Sequence, residues 1–378
     1  MNNTADVIVI GSGLVGSATA YELAKRGKSV IVLEKYPNVG DGASSRNGAS
    51  VRLAGRVSPE AELAAKAIYD IWPTISEELG YDVEYVCAGS LTMARTEEQV
   101  KKLDVKMAKD MKAGVPSRLV DGKEARELCP IIGECVVKAV HSTRDGMANP
   151  MRTTLAYYLA ARRLGVRYIT GENVVSLEKV RGRCRKVITE AGSVYEGEHI
   201  VLAAGFNSRR IAKTVGIWIP FLKRVDECLI TEVQPFMTKM RLSTADGNFY
   251  GGQTRHGSFI FGGNTNLERY EECYDDRPIN TGKQTSDKCR AIGIFLPSLK
   301  NVKVVRHWAG WLDSMVDRLP VIQETQEVPG LVLACGFSGH GFAIAPAVGK
   351  VVAEIVLGEP TCVDVSALNY DRFKPTGC

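Results

Sequence analysis

Gly11-Ser12-Gly13-Leu14-Val15-Gly16, followed by Glu34 23 positions after Gly11, has the spacing of a loop that holds a pyrophosphate. Gly11 permits a tight turn. Gly13 lets the backbone approach the phosphates at the positive end of the next helix, with Leu14 and Val15 beside it. Gly16 lets that helix pack closely on its strand. Glu34, followed by Lys35, is placed to accept hydrogen bonds from both hydroxyls of an adenosine ribose, and it would repel a 2′-phosphate. The surrounding pattern supplies the elements this chemistry needs. Residues 7–10 are a β-branched apolar run, read as a buried parallel strand. Residues 17–26 read as a helix capped by Gly27, and 29–33 as a second strand that Glu34 ends.

Two further segments bear on which dinucleotide is held. Gly42-Ala43-Ser44-Ser45-Arg46-Asn47-Gly48 is small, polar and flexible. It suits a long cofactor, with Ser44 and Ser45 donating to phosphate or ribityl oxygens; a plain solvent loop is the alternative. Near the C-terminus, residues 331–335 read as another buried strand. Gly336-Phe337-Ser338-Gly339-His340-Gly341-Phe342 and Ala343 follow, then a helix from near Pro346 to 357 with Gly358 as its cap. A second helix N-terminus would stabilise negative charge on the N1–C2=O edge of a reduced flavin, a need that nicotinamide does not have. The pair of turns therefore favours FAD over NAD. Residues 198–204 read as a strand leading through Ala204 to Gly205. Val174 lies in a strand-like stretch where an apolar residue covers an adenine or simply packs in the core.

The rest of the chain sets limits. Its 378 residues carry 48 Lys+Arg against 43 Asp+Glu, a net charge of +5 without a basic stripe, which argues against a nucleic-acid binder. With 45% hydrophobic and 24% charged residues, the chain reads as globular rather than disordered. The ten cysteines are scattered without metal spacing, so reduced cytosolic thiols and no metal are expected. No signal peptide and no 18-residue apolar run is read, so the expected location is cytoplasmic, with membrane association only through partner chains.

These motifs resemble the FAD-dependent D-amino-acid oxidase superfamily, in its glycine/sarcosine oxidase branch. The likeness spans the chain through GSGLVG with Glu34, GASSRNGASVR at 42–52, DGMANP at 145–150, VLAAGFNS at 201–208, WAGWLDSMVDRLPVI at 308–322 and GFSGHGFAIAPAVG at 336–349. The 42–52 and 308–322 segments look most like flavoprotein β subunits of heteromeric opine and amino-acid dehydrogenases. The resemblance implies an α/β fold. A Rossmann-like FAD-binding part (1–82, 141–215 and 319–378) would be interleaved with a mostly antiparallel substrate part (83–140 and 216–318). The residues are compatible: 249–250 and 258–261 look like strands, and 95–113 looks helical.

The resemblance also implies oxidation of a C–N bond by hydride transfer to flavin N5, with FAD held non-covalently. Arg52 matches a family arginine that holds a substrate carboxylate; a surface arginine is the alternative. Tyr250 falls where relatives carry an active-site aromatic, and a core tyrosine is equally compatible. His340 belongs to the flavin-side turn, where it either takes part in the site or braces backbone carbonyls. Relatives place an arginine after WAG and a lysine after GF; here those places hold Leu312 and Ala343. Asp313 and Asp317 are read as turn carboxylates, with a cationic substrate group as the other option. Ile260 stands where sarcosine oxidase has its oxygen-activating lysine, which favours a dehydrogenase that passes electrons to a partner. A stand-alone peroxide-forming oxidase and a non-catalytic FAD-binding subunit are the alternatives.

Overall fold

The computed structural model describes residues 3–263, 269, 270 and 278–374. Its first sheet has the strand order Val321–Glu324, Leu331–Cys335, Val194–Leu202, Thr4–Ile10, Val30–Glu34 and Arg167–Thr170. The middle of this sheet is parallel: Val7 pairs with Val30 and Ile8 with Ile200. Residues 7–10 and 30–34 are buried along their whole length, as expected of strands covered on both faces. The hairpin of Val174–Val180 and Arg183–Thr189 packs against one side, where Leu177 and Val187 meet Ile8 and Leu33. Helices Leu14–Lys25, Pro150–Arg163 and Gly341–Leu357 cover the other. The first and last of these cross closely, because a Cβ on Gly349 would lie 2.7 Å from the Ala18 backbone.

The second sheet is mostly antiparallel. Its order runs Arg269–Tyr270, Phe221–Thr231, Phe259–Gly262, Tyr250–Gln253, Arg241–Thr244, Ser90–Ala94, Lys138–Ser142 and Ser117–Asp121. The long Val304–Met315 strand pairs with Phe221–Thr231, placing Gly310 opposite Asp226. The helix expected over 95–113 is Glu97–Lys112, capped by the Thr96 side chain. No helix among the described residues is long and apolar enough to cross a membrane. The eight described cysteines are free; Cys273 and Cys378 lie outside the described residues.

Two helix starts differ from the sequence reading. The first helix begins at Leu14, so Val15 and Gly16 are helical rather than part of the turn. The last begins at Gly341 and carries Pro346 inside it instead of starting there. Proline costs one ladder hydrogen bond, but Ala343–Val348 is buried throughout. Tertiary packing outweighs that local preference.

Candidate active site

A long cavity runs between the two sheets. At one end it meets Glu34, Lys35, Asn173 and Val174; at the other it meets Gly310–Asp313, Gly339, Gly341 and Phe342. Gly11, Gly13, Leu14, Val15, Ala43, Ser44, Arg46, Asn47, Ala204 and Gly205 line the stretch between. Two glycines are dictated by contact. Gly11 has φ +102, and a Cβ on it would lie 2.5 Å from the Ala203 carbonyl oxygen. A Cβ on Gly16 would lie 2.0 Å from the Gly11 carbonyl oxygen. Gly16 thus works behind the cavity, holding strand and helix together.

The first helix has no acidic residue in its first turn and no side-chain cap from Gly13. Its Leu14 N–H donates instead to Ser44 Oγ at 2.8 Å, which ties the 42–48 loop to the helix end. Glu34 is 6% exposed. Its Oε2 accepts from the Ser12 N–H (2.9 Å) and hydroxyl (2.6 Å), and its Oε1 from the Tyr36 N–H (2.9 Å). A carboxylate has about four acceptor sites. Three are used internally, which narrows the expected grip on both ribose hydroxyls.

The second glycine turn is fastened from below. Asp313 Oδ2 accepts the Gly336 N–H at 2.8 Å, and Ser338 Oγ accepts the Met315 N–H at 3.0 Å. Burial pushes the Asp313 carboxyl up to about 6, opposed by backbone N–H groups of the same turn. The turn-carboxylate reading of Asp313 fits this geometry. Asp317 pairs instead with Arg372 at 2.7 Å. The Gly341–Leu357 helix has no side-chain cap, and its first residues, Gly341 and Phe342, line the cavity.

Several sequence candidates stand elsewhere. His340 lines neither of the two large cavities; its Nδ1 lies 3.1 Å from Glu60, which also meets Arg56 at 2.7 Å. Burial lowers the His340 imidazole, while Arg56 and His340 overcome burial and hold Glu60 down to about 2. Arg52 also lines neither cavity, and its Nη1 donates to the Ala54 carbonyl at 2.5 Å. Gly336, Gly48 and Ala343 are structural neighbours of the wall. Gly336 packs on Met315, Gly48 on Tyr250, and the Ala343 carbonyl accepts from Trp72 Nε1 at 2.8 Å. Ser45 faces a second cavity of about 800 Å³. That cavity shares Arg46 and Asn47 with the first and is lined by Met147, Ile260 and Trp308.

The wall formed by the second sheet contains residues the motifs did not reveal. Tyr250 was expected there, and its ring lies across Gly262, where a Cβ would meet Cζ at 2.8 Å. Asp226 was not expected, although it is buried and lines the same cavity. The signal was available: Asp226-Glu227 is an acidic pair inside an otherwise strand-like run. Successive strand residues face opposite ways. Glu227 turns to the helix Lys283–Phe295 and accepts from the backbone and hydroxyl of Thr281 and Thr285 and from the Gly282 N–H. Asp226 turns to the cavity.

The glycine cradle, the two helix N-termini and the acidic ribose end fit an extended flavin dinucleotide. Comparison with known proteins leads to the same class. The chain belongs to the DAO family of FAD dependent oxidoreductases, which it matches over residues 6–355. FAD is its cofactor and oxidation–reduction its chemistry. It is 26% identical over 360 residues to the beta subunit of sarcosine oxidase from Rhodobacter capsulatus, covering 93% of this chain and 84% of that one. It is 27% identical over 387 residues to the B subunit of opine oxidase from Agrobacterium tumefaciens, covering 97% of each. The solved L-proline dehydrogenase of P. horikoshii superposes with a TM-score of 0.89 at 28% identity, covering 99% of this chain and 98% of that one.

Proposed function

We propose that this chain oxidises the C–N bond of an amino acid or secondary amine and passes the electrons to a partner chain or another acceptor. The supporting observation is the shape of the site: one cavity has two helix N-termini on one wall, and buried Asp226 and half-buried Tyr250 on the other. Relatives whose names specify sarcosine, opines and L-proline support the substrate class. Two of them are subunits by name, which supports a partner chain.

FAD, when bound non-covalently, supplies the two-electron acceptor; the protein supplies binding, orientation and charge. The first helix end and the 42–48 loop hold the pyrophosphate, and Glu34 holds the ribose. The N-terminus of the last helix favours negative charge beside it. Substrate enters through the second cavity, where Met147, Ile260 and Trp308 form an apolar patch and Arg46 and Asn47 are shared with the first cavity. Ile260 adds no cation at that boundary, where Arg46 is held by Asp41 at 3.1 Å, and the buried Lys288 pairs with Asp226 at 3.7 Å. Electrostatic help for oxygen reduction is weak there, which favours a dehydrogenase.

The test is turnover of the FAD-loaded chain with N-methylglycine, glycine, L-proline, D-amino acids and opines. It is run in air with peroxide detection and under nitrogen with a dye acceptor. The proposal predicts dye-dependent turnover well above peroxide formation. Stoichiometric, fast peroxide would replace the dehydrogenase with a stand-alone oxidase.

A further inference from the structure

We propose that Asp226, with the Tyr250 hydroxyl beside it, is the subsite for the substrate's amino nitrogen, and that its carboxylate takes the proton which the ammonium must lose before oxidation. This rests on the amine-oxidising reading above.

Asp226 is 6% exposed and lines the main cavity, yet its Oδ1 has no hydrogen-bond partner. Lys288 Nζ, at 3.7 Å, is too far to fill that role. An unfilled acceptor on a buried carboxylate is costly unless a ligand completes it. Glu227, one residue on, shows the contrast, because each of its oxygens accepts more than one hydrogen bond. The strand thus spends one acid on its own fold and leaves the preceding one with an unfilled acceptor, facing Lys288 across 3.7 Å.

The opening suits a cationic nitrogen. An ionised carboxylate only accepts hydrogen bonds, and an ammonium only donates them. Gly310, opposite Asp226 in the sheet, adds no side chain of its own; Arg46 packs over it, its guanidinium held by Asp41 at 3.1 Å. Tyr250 reaches across Gly262, so its oxygen borders the same space. Burial raises the phenol well above its usual range, with Asp226 and Cys228 adding to the effect, so it stays a neutral hydroxyl.

A protonated amine has no lone pair to assist departure of a hydride from the adjacent carbon. In the proposed step an N–H bond of the ammonium breaks and an O–H bond forms on Asp226 Oδ1. The products are a neutral amine and a neutral carboxyl, and no electrons change owner. The groups facing Asp226 suit it to this step. Burial raises its carboxyl to about 7, against the pull of Lys288 and the Gly263 N–H and with a push from Glu227. A base poised near neutral pH is the efficient one.

The experiment follows anaerobic bleaching of the FAD-loaded enzyme by the fastest amine of the panel, between about pH 5 and pH 9, in wild type and D226N. FAD content and thermal midpoint are measured on both. Wild type should show a rate that rises with pH to a plateau near neutrality. D226N should keep its FAD, bleach at least about 100-fold more slowly at pH 7, and lose that limb. Methoxyacetate, which lacks the ammonium of N-methylglycine, should compete equally well with both proteins. Y250F should slow bleaching more mildly and keep the limb.

An unchanged rate and profile in D226N would overturn the proposal. So would loss of FAD from D226N, which would make Asp226 a cofactor contact. If D226N does not fold, the wild-type profile decides, and a flat one overturns the proposal. Failure of every amine to bleach wild type would instead defeat the underlying function, a result distinct from any defect confined to D226N.

Discussion

The two walls of the cavity are built from different materials. On the parallel-sheet side the functional groups are backbone: glycine turns, helix N–H groups and one acid, Glu34, already held by Ser12 and Tyr36. On the antiparallel side they are side chains, Asp226 and Tyr250, carried on separate strands and opposed by small residues such as Gly262 and Gly310. Backbone chemistry demands particular residue types at fixed spacing, whereas a side-chain site demands only that strands meet in the right register. The first wall can therefore bind one cofactor across many enzymes while the second changes its substrate.

The contrast breaks most severely at Gly16. In G16V the new side chain meets the Gly11 carbonyl, a backbone atom that cannot yield. We expect complete loss of bound flavin, read as loss of the visible absorbance after desalting. Retention of a full complement would show that the strand–helix contact does not shape the first wall.

The next largest effect lies behind that wall. Glu60 and Arg56 are each about 2% exposed at the side chain. E60Q leaves the guanidinium without its charge partner and should cost about 3 kcal/mol of stability, read by denaturant unfolding. The pH dependence has a defined sign. Glu60 is held at about 2, below its usual 4.5, so its contribution is complete above the unfolded value. It is lost as pH falls from there toward about 2, and E60Q should flatten that part of the acid-stability curve.

Smaller effects sharpen the division. E34Q keeps the fold but weakens the acceptor for Ser12, Tyr36 and the ribose. FAD affinity should fall about tenfold, equivalent to about 1.4 kcal/mol, by fluorescence titration. G262A acts first on the second wall, displacing the Tyr250 ring, whose Cζ and Oη would lie 2.8 Å from the new Cβ. We expect flavin content unchanged and anaerobic reduction slowed about threefold, a rise of about 0.6 kcal/mol in the barrier. Loss of flavin in G262A would erase the distinction between the walls.

The same difference explains what could be read from the sequence. Gly11, Gly13, Gly16 and Glu34, the 42–48 loop and the 336–342 turn were legible because each is local and each requires a residue type. The parallel strands were legible as continuous β-branched runs. The start of the last helix was not, because Pro346 obeys a local preference that burial of Ala343–Val348 overrides. Asp226 was missed for another reason. Its meaning depends on Gly310 lying opposite, Tyr250 crossing Gly262 and Lys288 arriving from a distant helix. His340 and Arg52 show the converse: a motif position places the backbone, while Glu60 and Ala54 decide where the side chain is held.

The most direct measurement is the visible spectrum of the FAD-loaded chain under nitrogen as single amines are added. At least one amino acid or secondary amine should bleach the flavin band completely, while the matching compound without nitrogen leaves it intact. A fully loaded chain whose spectrum no amine changes would contradict the amine-oxidising reading.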